Sequence, residues 1–136
     1  MGSKPVIEID GAGFSTLDEF YDEISRKVIR GAYWGRNLDG FNDILRGGFG
    51  TPEGGFVLRW VNSGLSRERL GYAETVRVLE RRLEKCHESW RSSICERIAA
   101  AQADVGQTIF EELVEIIEKH CAGGDEAEDG VELVLA

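Results

Sequence analysis

The chain predicts an α/β domain in which a small three-stranded parallel sheet packs against helices. Three observations carry that expectation. Short β-branched runs lie near both ends and in the middle of the sequence, stretches of helical apolar periodicity separate them, and strands so separated must return by crossovers. The 136 residues suffice for a single hydrophobic core, and the 42% hydrophobic content with dispersed charge is that of a soluble globular protein. We expect one domain over residues 1–136.

Val6-Ile7-Glu8-Ile9 reads as the first strand, halted by Asp10-Gly11. Thr16 with Glu19 has the spacing of a capping box, and Leu17, Phe20, Tyr21, Ile24 and Val28 then follow helical spacing until Gly31. Asn37 is a good N-cap for a second helix from Leu38 to about Arg46, because its side-chain oxygen can accept from the first free amides. The glycine-rich stretch 47–55 lacks the Gly-Lys-Ser/Thr ending of a phosphate cradle and follows a helix instead of a strand, so it reads as a turn. Phe56 to Val61 is nearly all apolar, as for a central strand covered on both faces, and Asn62-Ser63-Gly64 ends it.

From about Ser66, Tyr72, Val76, Leu79, Leu83, Cys86 and Trp90 recur at steps of three and four. Ser93 with Glu96 repeats the capping-box spacing, which predicts a break near Ser89 to Ser92 and a helix restarting there until Gly106. Thr108 with Glu111 opens the last helix, with Ile109, Phe110, Leu113, Ile116 and Ile117 facing inward. A Gly- and acid-rich connection from Cys121 to Gly130 leads to Val131-Glu132-Leu133-Val134-Leu135, the third strand.

The net charge of -9 makes phosphate backbones and anionic membranes poor partners and favours a basic protein. No apolar run approaches the ~20 residues of a membrane span, and Met1 to Gly13 lacks the apolar centre of a signal peptide. Three cysteines, Cys86, Cys95 and Cys121, are an odd number that suits a reducing compartment, so a cytoplasmic protein is expected.

The helix from Leu38 to Arg46 puts Leu38, Phe41, Ile44 and Leu45 on one side and Asp39 and Asp43 opposite. Like charges four residues apart repel by a few tenths of a kcal/mol. Asp39 is offset by the helix N-terminus, but Asp43 lies too far along. The pair is either a solvated face or a charged recognition face. Tyr33 and Trp34, just before the cap, are residue types enriched at interface hot spots, although one of them folded onto the core fits as well.

Catalytic readings are weaker. The only histidines, His87 and His120, each adjoin a cysteine near a helix end, which is a thin basis for a Cys-His nucleophile. Cys86, His87, Cys95, His120 and Cys121 could supply zinc ligands, but adjacent helical residues point about 100° apart, and no C-x-x-C spacing occurs. Buried or half-buried thiols are expected instead. An acid–base pair needs a cleft and one carboxyl of raised pKa, which nothing signals for Asp39 and Asp43. We expect no catalysis, metal or cofactor.

The stretch Tyr33-Trp34-Gly35-Arg36-Asn37-Leu38-Asp39-Gly40-Phe41-Asn42-Asp43-Ile44-Leu45 resembles the signature of the barstar family, inhibitors of barnase-type secreted ribonucleases. The order of elements is similar too, from an N-terminal strand through the signature helix and the strand ending in Arg59-Trp60 to a late helix and a last strand. About Gly71 to Asp104 looks like a helical extension or insertion relative to the small founding member. The resemblance implies a barstar-like fold and an intracellular inhibitor of the toxin/immunity type, monomeric before binding. Its partner would be a basic secreted or toxin ribonuclease, whose active site the acidic helix and preceding loop would occlude as a phosphate mimic, without direct nucleic-acid contact.

By position in the motif, Asp43 matches the carboxylate that enters the phosphate pocket and Asp39 the second acid. Asn37 and Gly35 match contacts at the cap and loop, and Tyr33 an aromatic that packs on the catalytic histidine, with Trp34 beside it. Glu118 matches, by spacing, an acidic contact on the late helix. Asn42, Arg46 and Gly48 stand where the founder has an aromatic, a small polar residue and another aromatic, which implies a different target. The alternative is an interaction module of the same fold whose partner is not a nuclease.

Overall fold

The computed structural model describes residues 4–29, 33–47 and 49–136; Gly31, the expected end of the first helix, and Gly48 lie outside them. The elements run β1 (Val6–Asp10), α1 (Leu17–Lys27), α2 (Leu38–Arg46), β2 (Val57–Val61), α3 (Ser63–Arg69), α4 (Tyr72–Lys85), α5 (Arg91–Gln102), α6 (Ile109–Glu118) and β3 (Glu132–Leu135). The three strands form one parallel sheet in the order β1-β2-β3, with Ile9 opposite Trp60 and Trp60 opposite Leu135. This is the α/β architecture that the alternation of runs predicted, with β2 in the centre.

The core forms on one face of that sheet. Trp60 is fully buried, with Phe110, Phe20 and Phe14 rings at 5.1, 5.4 and 6.1 Å, and its indole N–H donates to Ser66 Oγ at 3.0 Å. The expectation that β2 is covered on both faces does not hold. Leu58 and Trp60 are buried, but Arg59 is exposed, and so are its neighbours Glu8 and Val134 across the sheet. Charge pairs line that open face, Lys4 with Glu132 at 3.6 Å and Arg59 with Glu8 at 3.9 Å. Val57 and Val61 are half-buried there, and their β-branched side chains made an alternating strand look uniformly apolar.

Helix ends follow local chemistry. Thr16 Oγ1 accepts the Glu19 N–H at 3.1 Å, while the Glu19 carboxylate takes the N–H of Ser15 at 2.7 Å, one residue before the expected partner. The Thr108–Glu111 capping box is complete. The box expected at Ser93 and Glu96 is absent: Ser93 lies inside α5, which starts at Arg91 after a 3-10 turn over Glu88–Trp90, and His87 caps that turn. The chain also turns into helix directly after β2, through Asn62 at φ 54°, so α3 is separate from α4 and begins before Ser66.

Long-range polar links fix the helices to one another. Buried Glu74 on α4 accepts the Leu17 N–H at 2.8 Å and pairs with Arg77 through two contacts of 2.6 Å. The start of α6 is held by Phe110 N–H to Leu70 O at 3.1 Å and Ile109 N–H to Thr75 Oγ1 at 2.9 Å. Before β2, Gly55 has φ 99° and its missing side chain leaves room for the backbone of Gly130, so the turns preceding β2 and β3 stack directly. Among the described residues, no helix is long and apolar enough to cross a membrane.

Candidate functional site

Helix α2 is anchored by its apolar side. Phe41, Ile44 and Leu45 are buried, and Phe41 meets Phe20 edge-on at 5.3 Å. Asn37 Oδ1 accepts the Gly40 N–H at 2.7 Å, which is the expected cap. Asp39 and Asp43 stand exposed on the opposite side.

The two aromatics before the cap part company. Tyr33 is 92% exposed, whereas Trp34 is 5% exposed, edge-on to Tyr21 at 5.3 Å with its indole N–H donating to Ser25 Oγ at 2.8 Å. Gly40 makes this possible, because a Cβ there would stand 3.3 Å from the Trp34 ring. Burial also pushes the Tyr21 phenol well up. Of the two aromatics expected to face a partner, this arrangement presents Tyr33 and withdraws Trp34 into the core. Gly35 is exposed, and the loop is tied to α1 by Arg36, which at φ 51° bonds the Asp22 carboxylate and the Asp18 carbonyl.

Asn42 also turns inward. Its Oδ1 lies 2.7 Å from Nε2 of His120, which is fully buried, and Nδ1 of His120 lies 2.6 Å from Asp129 Oδ2. An expected contact residue thus has its side-chain oxygen engaged within the fold, holding α2 to the segment after α6. Arg46 spans the rim of the same knot, with Nε 2.6 Å from Glu126 Oε1 and Nη1 3.3 Å from Asp43 Oδ1. The pairing raises the Arg46 guanidinium above its ordinary value and holds the Glu126 carboxyl below its own.

Nothing in the sequence paired Asn42 with His120, since 78 positions separate them. The available signal was a polar residue beside the apolar stripe of an otherwise amphipathic helix. His120, Glu126 and Asp129 present ligand atoms within 4.8 Å of one another, the cluster best placed for a cation among the described residues. Those atoms already bond Asn42, Arg46 and each other, so coordination would require those bonds to be given up.

The remaining candidates are scattered. Glu118, the last residue of α6, is exposed beside α3 and β3, bordering depressions shared with Arg67, Lys119 and Leu135 and with no residue of α2. Cys86 and Cys121 are half-buried and Cys95 is exposed; burial pushes the Cys121 thiol up, which disfavours the reactive thiolate. What the site offers chemically is two exposed carboxylates on one internally anchored helix, with the exposed Tyr33 phenol in the loop before it. Such acceptor-only groups suit cationic donors such as Arg, Lys or protonated His.

Residues 4–96 match the family described as Barstar (barnase inhibitor), a stretch that takes in β1, α2 and β2 and ends inside α5. No curated protein matches the chain. With well over half of its length inside the match, the chain belongs to the barstar family.

Proposed function

We propose that this member of the barstar family is a cytoplasmic inhibitor of a basic microbial ribonuclease, of the toxin/immunity type and monomeric before binding. The observation that carries the reading is the exposed pair Asp39 and Asp43 on α2, the helix of the family signature. Asp43 is the phosphate mimic: it enters the nuclease's phosphate pocket and meets the cations that would hold the scissile phosphate. Asp39 is the second acid, and Tyr33, Gly35 and Asn37 shape the approach from the loop. Glu118 adds an acidic contact from the end of α6, the helix that packs against α2 and leads into His120.

Binding on this account exchanges the 3.3 Å contact of Asp43 with Arg46 for enclosed charge-assisted bonds to the enzyme. The net charge of -9 accelerates encounter with a cationic partner, and that acceleration falls as salt is added. Arg46 adds a cation to the acidic face, which rejects nucleases with a cation opposite it and so narrows the choice of target.

The test is titration of the protein, wild type and Asp43→Ala, against a panel of small basic ribonucleases. Wild type should inhibit at least one of them. Truncating one member of a buried charge pair costs about 2–5 kcal/mol, so Asp43→Ala should weaken that inhibition by about thirtyfold or more. Equal inhibition by the variant would remove Asp43 from the interface.

A further inference from the structure

The groove bounded by α1, α4 and α5 adjoins the acidic face, since Leu17 and Arg82 also border a depression that reaches Asn37 and Asp39, yet its own lining has the opposite character. It is an open groove of about 540 Å³, within the size range of small-molecule sites. Leu17 and Val78 form a buried floor, Trp90 and Ile94 form the outer wall, and Arg82 and Lys85 stand at the rim. Trp90 is 64% exposed, a large aromatic surface left in water beside an apolar floor.

The charge is unusual for this chain. Residues 71–104 hold six acidic and six basic side chains, whereas the whole protein carries -9. Three cations line the groove, against Asp18 as the only acid lining it. Arg81 neutralises Asp18 at 2.7 Å. Arg82 reaches Glu112 only at 3.9 Å, while Arg97 holds the same carboxylate at 2.8 Å. Lys85 has no ion-pair partner among the described residues. An apolar trough is therefore bordered by two incompletely matched cations.

We propose that this groove binds a small anionic amphiphile, an aliphatic or aromatic body with a single carboxylate or sulfonate head. The body would cover Leu17, Val78, Ile94 and the face of Trp90, and the head would lie between Lys85 and Arg82. A basic nuclease is the wrong occupant, because its cations would face cations. The volume also suits one small molecule better than a docked helix, which needs a long groove with anchors at helical spacing.

The probe is sodium dodecanoate, kept below its micelle concentration and followed by calorimetry and tryptophan emission, with dodecyltrimethylammonium as the charge-reversed control. Saturable binding of one molecule is expected, at least tenfold tighter than the control, with a blue shift from Trp90 that Trp90→Phe removes. Lys85→Glu should weaken binding at least tenfold. Arg59→Glu, the same charge change on the open sheet face, should leave it unchanged, as should Asp43→Ala, which separates this site from the proposed inhibition. Equal affinity for the cationic control, or for Lys85→Glu and wild type, overturns the proposal. So does non-saturable uptake.

Discussion

Helices α2 and α5 are both short and both carry charge, yet they are held in opposite ways. In nine residues α2 buries Phe41, Ile44 and Leu45, and polar links fix it at its start, middle and end through Asn37, Asn42 and Arg46. In twelve residues α5 buries only Ala101, has no side-chain cap, and is joined to α6 by the Arg97–Glu112 pair. The difference teaches that displaying two acids in a fixed geometry takes many internal anchors. A helix freed of that demand can leave apolar surface uncovered, as α5 does beside Trp90.

The largest effect that could break the comparison is on stability. Phe41→Ala removes a fully buried ring and should cost about 3–5 kcal/mol in urea unfolding. Ser93→Ala, exposed on α5, should stay within about 0.5 kcal/mol of wild type. Comparable losses in the two variants would mean that α5 is as deeply integrated as α2.

A smaller effect sharpens the contrast between tether and contact. Asn42→Ala leaves a buried nitrogen of His120 without its partner, a penalty of about 1–3 kcal/mol. The same variant should inhibit the nuclease much more strongly than Asp43→Ala does. An Asn42 that contacts the enzyme directly would show the reverse, with stability kept and inhibition lost.

The smallest effect belongs to Arg46 and depends on pH. Because Arg46 holds the Glu126 carboxyl below its ordinary value of 4.5, the stability this pair contributes is complete above that value and is lost as pH falls through the lower folded-state value. Thermal melts of wild type and Arg46→Ala should therefore differ by a constant small amount near neutrality and converge below pH 4.5. Melts that stay equally separated in acid would show that Arg46 acts through packing.

Much of the fold was legible because periodicity and caps report local physics. The three strands, the span of α2 and the box at Thr108 needed only residue spacing. What failed was long-range or two-sided. The open face of the sheet was hidden because half-buried Val57 and Val61 have the same side chains as core residues. Ser93 and Glu96 had the right spacing for a cap, but serine also sits inside helices, and the 3-10 turn before it set the start instead. Of the site, the outward acids were legible from the helix period. The inward turn of Trp34 depended on the slot left by Gly40, and that of Asn42 on a histidine from the far end of the chain.

The pairing of Trp60 with Leu135 and the bond of Asn42 to His120 also order events in time. While the protein is being synthesised, α2 and its two acids emerge before the histidine that bonds Asn42 and before the strand that pairs with β2. Such distant pairings slow folding, because the chain must close a long loop before the contacts reward it. A nascent or truncated chain ending within α5 would therefore carry the family signature without its rigid display. On the proposed function, the acidic face would be complete only after β3 and His120 have joined the fold.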